Sequence, residues 1–226
     1  MTKYPITQDF LPAGLNHSGN LLTPAGLTIH ETATPGATAE NERDYFHSGD
    51  RQASAHYFVD HDSIVQILPE ALRAWHAGPT ANTRFLSIEM CHFTDEVKFR
   101  EVWARTVWLA ADICLRYGFN PGNLDQLNTH DWVSVTWFET DHTDPLGYFA
   151  AHGKSWADFV HDVKLLMEAV IVDTSITIKV GGKSILGILR DGTSYVPVRP
   201  LAESLGCTVR WNAEDRAVIL EPSEAY

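Results

Sequence analysis

Four short, largely apolar stretches in the first half of the chain each predict a β-strand, and the stretches at 27–31 and 86–90 alternate apolar with polar positions. Leu27-Thr-Ile-His-Glu31 alternates and carries a histidine at its end. Ala55 to Val59 and Ile64 to Leu68 flank the polar run Asp60-His-Asp-Ser63, which predicts a hairpin. Leu86 to Met90 alternates in the same way and sets Glu89 on the face opposite Ile88. The period then lengthens. Phe99, Trp103, Val107, Ala110, Ile113, Cys114 and Tyr117 form one helical stripe, predicting a helix over 95–117. Thr94 is its expected N-cap, Asp95 and Glu96 suit its first turn, and Gly118 ends it. That aromatic stripe reads as core.

Shorter signals complete the picture. Residues 39–48 predict a helix closed by Gly49, and 155–170 predict a long helix opened by a Ser155/Asp158 capping box. Residues 1–26, broken by Pro5, Pro12, Gly14, Gly19, Pro24 and Gly26, read as loop. So do residues 70–85 and the Trp-, Asp- and Thr-rich run up to Gly147. Asn128 to Asp131 reads as the end of a further strand. The pattern changes near Val172. Strands are predicted at 176–180 and 183–186 around Gly181-Gly182, and at 208–211 and 217–220 around a turn at 212–215, with a short helix at 198–205. The chain is thus read as α/β over residues 1–170, with a separate small α+β domain at 171–226.

Composition narrows the class. With 44% hydrophobic and 20% charged residues, 226 residues can bury a full core and a small second one. A net charge of −12, from 17 basic and 29 acidic residues, argues against a nucleic-acid partner and against simple attraction to an anionic wall or membrane. Three cysteines, Cys91, Cys114 and Cys207, are odd in number and far apart, so neither a disulfide framework nor a CxxC metal motif is implied. No signal peptide and no membrane-length apolar run is visible, so the expected location is the cytoplasm until release.

Eleven histidines are the informative excess. A hydrolytic zinc centre needs three protein ligands and an open position, with a carboxylate near enough to move a proton. His30 and His130 each end a predicted strand and precede an acidic residue, Glu31 or Asp131. Asp144 lies in Asp-His-Thr-Asp-Pro-Leu-Gly, which by itself is a turn.

Together these segments match a family. Leu27-Thr-Ile-His-Glu31, Ser54-Ala-His-Tyr-Phe-Val-Asp60, Ile64-Val-Gln-Ile-Leu-Pro69, Ala74-Trp-His-Ala-Gly78, Ser87-Ile-Glu89, Thr129-His130 and His142-Thr-Asp-Pro145 occur in the order found in zinc-dependent N-acetylmuramoyl-L-alanine amidases. Residues 4–165 resemble that family, which phage endolysins, autolysins and peptidoglycan recognition proteins share. The resemblance implies a central mixed β-sheet flanked by helices, a Zn2+ cofactor and bacterial peptidoglycan as substrate.

It also implies residue roles. His30, His130 and Asp144 match the metal ligands, and Glu89 the general base. His142 stands where many relatives carry a lysine that steadies the oxyanion. Tyr57 matches either an oxyanion donor or a packed strand tyrosine. Trp75, His76 and Asn82 match a groove-lining region, with His76 alternatively a brace for the fold. The rivals are a non-catalytic peptidoglycan-binding module, an amidase acting on anhydro-muropeptides, and a purely structural zinc. Residues 172–226 resemble the copper amine oxidase N-terminal (stalk-type) domain through Val180-Gly-Gly-Lys183, residues 191–199, Ala202-Glu-Ser-Leu-Gly206 and Val209-Arg-Trp-Asn212. They contain no histidine, so no copper is implied. Wall targeting, dimerisation or structural support are its expected roles, in a monomer or weak dimer without membrane insertion.

Overall fold

The computed structural model describes residues 4–173, 175–180, 182–190, 193–212 and 217–222. The chain forms two compact units, Met1–Met167 and Glu168–Tyr226. The first is built on a six-stranded mixed sheet. Its strands are β1 (Thr7–Gln8), β2 (Gly26–Glu31), β3 (Tyr57–Val59), β4 (Ile64–Gln66), β5 (Phe85–Met90) and β6 (Leu127–Thr129), in the order β1-β4-β3-β5-β2-β6. Only the predicted β3–β4 hairpin is antiparallel; the other pairs are parallel.

Parallel strands need long crossovers, and the connections between strands supply three helices, while three more follow the last strand of the sheet. They are α1 (Ala39–His47), α2 (Pro79–Asn82), α3 (Glu96–Tyr117), α4 (His130–Trp137), α5 (Leu146–Ala151) and α6 (Trp156–Asp173). The central strands β2 and β5 are buried on both faces, as parallel strands covered by helices must be. Gly26 opens β2 where the chain passes close to β6. A Cβ there would lie 2.8 Å from Gln126 Cα, closer than real side chains tolerate.

Register decides which residues share a face. His30 pairs with Glu89, and Phe58 also pairs with Glu89, so these three side chains project together. Tyr57 pairs with Ile88 and points the other way, toward α3. Phe46 of α1 stacks on Phe58, so α1 covers the His30 face. Helix α3 packs on the opposite side, and Trp103 joins it to Phe149 of α5 and Phe159 of α6.

Several boundaries differ from the sequence reading. The N-cap of α3 is Asp95, not Thr94, because the Asp95 carboxylate accepts from the Val97 and Lys98 amides. The segment 128–131 ends its strand at Thr129, and His130 begins α4. The predicted loops contain α2, α4 and α5. The Ser155/Asp158 capping box is present.

In the second unit, β7 (Ser175–Val180), β8 (Lys183–Arg190) and β9 (Thr193–Tyr195) form an antiparallel sheet. Helix α7 (Val198–Ser204) follows, and β10 (Cys207–Asn212) pairs with β11 (Ala217–Pro222). Residues 213–216 of the predicted 212–215 turn, Gly181 of the predicted Gly181-Gly182 turn, and Asp191-Gly192 of the second-domain motif lie outside the described residues. Among the described residues, no helix is long and apolar enough to cross a membrane.

Candidate metal centre and its cleft

Three chain segments converge at the C-terminal edge of the sheet. His30 sits at the end of β2 and is 1% exposed. His130 is the first residue of α4, fixed there because the Thr129 hydroxyl caps the helix by accepting from Trp132 N. Asp144 precedes α5, and its main chain is pinned by the Asp131 amide, which donates to Asp144 O at 3.1 Å. The Glu31 amide donates to Asp144 Oδ2 at 3.3 Å and sets the carboxylate against the end of β2.

The donor atoms face one another. His30 Nδ1 and His130 Nδ1 are 3.1 Å apart. Asp144 Oδ2 lies 3.2 Å from His30 Nδ1, and Oδ1 lies 3.1 Å from His130 Nδ1. A tetrahedral ion with ligand bonds of about 2.0–2.1 Å would separate its ligands by about 3.3–3.4 Å. The edges of this triangle are near that value, and the set of two imidazoles and one carboxylate is that of a hydrolytic zinc site. Burial keeps His30 below its ordinary pKa, hence neutral and able to ligate. Burial alone would raise Asp144, but the His130 and His30 imidazoles set against its oxygens outweigh it and hold the carboxyl well below the usual range.

A second layer fixes the tautomers. His30 Nε2 lies 3.0 Å from His76 Nδ1, and His76 Nε2 lies 3.3 Å from the Phe85 carbonyl. With His30 Nδ1 turned to the centre, its Nε2 proton is donated to His76, and the His76 proton to Phe85 O. On the other ligand, His130 Nε2 lies 3.1 Å from Thr140 Oγ1, which is 2.5 Å from Ser134 Oγ.

The centre opens into a cleft of about 530 Å³. Glu89 lines it on the strand next to His30. Burial pushes the Glu89 carboxyl well above its ordinary pKa, and the nearby Asp144, Glu42 and Glu31 charges add to this. His142 is exposed at the rim. Its ring stacks on His130 at 4.5 Å, and its Nδ1 is 3.6 Å from Asp144 Oδ1. Trp75 contributes an apolar wall.

The structure does not bring every expected residue here. Tyr57 lies on the far face of the sheet, where its hydroxyl donates to Glu70 Oε1 at 2.7 Å. It is a packed strand tyrosine, because the Phe58–Glu89 register sends it away from the cleft. Asn82 is a brace: its Oδ1 accepts from His76 N at 2.8 Å and Ala77 N at 2.9 Å. His76 lines the cleft and braces His30. Thr140, Ser134 and Glu42 carry no signal in the sequence, because only tertiary contact gives them a role.

Comparison with known proteins follows the same division of the chain. Residues 20–147 match the family model described as N-acetylmuramoyl-L-alanine amidase, and residues 173–225 the copper amine oxidase N-terminal domain. A relative in Bacillus licheniformis, the N-acetylmuramoyl-L-alanine amidase CwlL, is 39% identical over 115 residues, covering 44% of this chain and 32% of its own. A bifunctional autolysin of Staphylococcus aureus (strain MSSA476) is 29% identical over 182 residues, covering 78% of this chain and 14% of its own. The chain therefore spans a third or less of these relatives' lengths. The Staphylococcus aureus hydrolase AmiA, solved in complex with its ligand, superposes with a TM-score of 0.65 at 28% identity, covering 74% of this chain and 87% of that one.

Proposed function

The chain belongs to the N-acetylmuramoyl-L-alanine amidase family, and on that premise we propose that it hydrolyses the amide joining N-acetylmuramic acid to L-alanine in bacterial peptidoglycan, using zinc. The convergence of His30 Nδ1, His130 Nδ1 and the Asp144 carboxylate beside Glu89 carries this reading. Zinc bound there supplies a Lewis acid that polarises a carbonyl and makes water acidic near neutral pH.

The chain's own residues do the rest. His30 and His130 enter with their outer nitrogens already committed to His76 and Thr140, so ligand geometry is fixed before substrate arrives. Glu89 takes the proton of the attacking water and delivers it to the leaving alanine nitrogen. The raised affinity of its carboxyl for protons suits a group that must accept one and then release it. His142, at the open rim, donates to the carbonyl oxygen as negative charge builds there. Trp75 and Phe58 hold the substrate against this array and exclude water from one side. The C-terminal unit serves to hold the enzyme on the wall.

The test is turbidity loss of purified Gram-positive walls by native, chelated and zinc-restored protein, with the new chain ends assayed. Zinc-restorable clearing that exposes alanine amino termini without new reducing sugars is expected. Wall binding without clearing, in the presence of zinc, would mark a recognition module instead and overturn the reading.

A further inference from the structure

The far face of the sheet carries a second concavity that the hydrolytic array does not use. Tyr57 and Phe58 are consecutive on β3 and project to opposite sides. Phe58 lines the metal cleft, while Tyr57 lines a pocket of about 510 Å³ that shares no residue with it. Three segments build this back pocket: the chain around β1, the end of β4 with residues 69–71, and the last turn of α3. Two aromatic residues stand exposed on it, Phe10 at 41% and Tyr117 at 37%. Phe119 stacks behind the Tyr117 ring at 5.4 Å, which fixes that ring as a rigid plate.

The pocket's charges are already matched among themselves. Glu70 Oε1 accepts from Tyr57 and Arg116 Nη2, and Oε2 from Arg116 Nη1 and Tyr117, so this carboxylate offers little to a cation. Arg116 Nε donates to Asp112 Oδ2 at 2.7 Å, so the one guanidinium faces two carboxylates and offers little to an anion. What stays open is neutral hydrogen bonding. Gln8 Nε2 donates to Gln66 Oε1 at 2.8 Å, and Gln66 Nε2 is taken up by Leu68 O. The exposed Gln8 amide is thereby oriented, with its Oε1 and second proton uncommitted among the described residues. Arg116 likewise keeps two N–H protons beyond those three bonds. Such a pocket suits an uncharged ligand with an apolar face for the rings and a rim of hydroxyl or amide groups for Gln8 and Arg116. A pyranose ring has both.

We propose that the back pocket binds a neutral pyranose glycan, its C–H face against Phe10 and Tyr117 and its polar rim on Gln8 and Arg116. The catalytic unit then grips sugar at a place remote from the metal centre. That this glycan is a strand of the cell wall rests on the amidase reading given above; the sugar chemistry of the pocket does not.

The experiment follows amide chemical shifts of the isotope-labelled, zinc-loaded full chain as chitotetraose is added. Saturable shifts at residues 6–10, 66–71 and 116–117 are expected. Phe10→Ala and Gln8→Ala together should weaken that binding about tenfold, the loss of one ring contact and one hydrogen bond. Shifts confined to the metal cleft or the second unit, or no shifts at all, overturn the site. So does a pocket that ignores chitotetraose and responds to a sugar-free stem tripeptide, which marks a peptide site instead. The shift map is made on the native chain, so it decides the matter even where the double variant fails to fold. It is also read without turnover: a protein that binds sugar here yet clears no wall loses the amidase reading and keeps the pocket.

Discussion

His30 Nε2 is bonded to His76 Nδ1 at 3.0 Å, in an edge-on pair whose ring centroids are 5.1 Å apart. The bond makes the second histidine a positioning residue for the first. His76 is itself anchored by Phe85 O and by Asn82, which grips its main chain. Replacing His76 with alanine frees the His30 ring to rotate and leaves its outer proton without an acceptor. Zinc affinity should fall about 10- to 100-fold, measured by competition with a chromogenic chelator. Unchanged affinity would show that the ligand ring is held by packing alone.

Glu89 should separate metal binding from turnover. Glu89→Gln keeps shape and hydrogen bonding but cannot take up the proton. Activity should fall by about 10²- to 10⁴-fold, with zinc content by elemental analysis unchanged. A variant that clears walls at the native rate would remove Glu89 from the mechanism.

Tyr57 gives a prediction of the opposite kind. Its hydroxyl serves Glu70, which Arg116 also grips through both terminal nitrogens and Tyr117 through its hydroxyl. Tyr57→Phe should cost roughly 1 kcal/mol of stability, read by denaturant unfolding, and leave kcat/KM unchanged. A tenfold loss in kcat/KM would place this hydroxyl in the reaction after all.

His56 predicts acid lability. It is fully buried, with Nε2 donating to Leu72 O at 2.9 Å and Nδ1 accepting from Ser87 N at 3.1 Å. Burial lowers its pKa from 6.5 to about 4. Between those values the unfolded chain binds a proton that the native one refuses, so stability falls as pH drops through that window. The full effect is on the order of 3 kcal/mol. His56→Gln should flatten the pH dependence of unfolding between about 6.5 and 4, whatever its cost at neutral pH. An unchanged slope would assign the acid sensitivity to other groups.

Where the chain's periodicity was strong, the sequence disclosed its architecture. The alternation through His30 corresponds to strand β2 and the stripe from Phe99 to Ile113 to the buried side of α3, although β2 is in fact covered on both faces. Glu89 was legible because alternation alone opposes it to Ile88. What failed was whatever depends on neighbours far along the chain. Tyr57 was ambiguous because strand-to-strand register sets its face, and a single strand does not carry that register. Helix α4 was hidden because Trp132, Val133, Val135, Thr136 and Trp137 favour strands. It forms because Val133, Trp132 and Trp137 pack with Phe85, Ala77 and Ala81, a cluster no local window contains. Thr140 and Ser134 have no pattern at all until His130 meets them.

The placement of the ligands along the chain has a consequence for synthesis. His30 and His130 are 100 positions apart, and Asp144 follows later still, all brought together only by the completed sheet. A nascent chain that has emerged only as far as β5 carries one ligand and the Glu89 carboxylate but no centre to use them. The three side chains can therefore meet only late in synthesis, once residue 144 has left the ribosome. Any chain that ends before residue 144 lacks the three-residue cluster, so the assembled centre exists only where the first unit is present through α5.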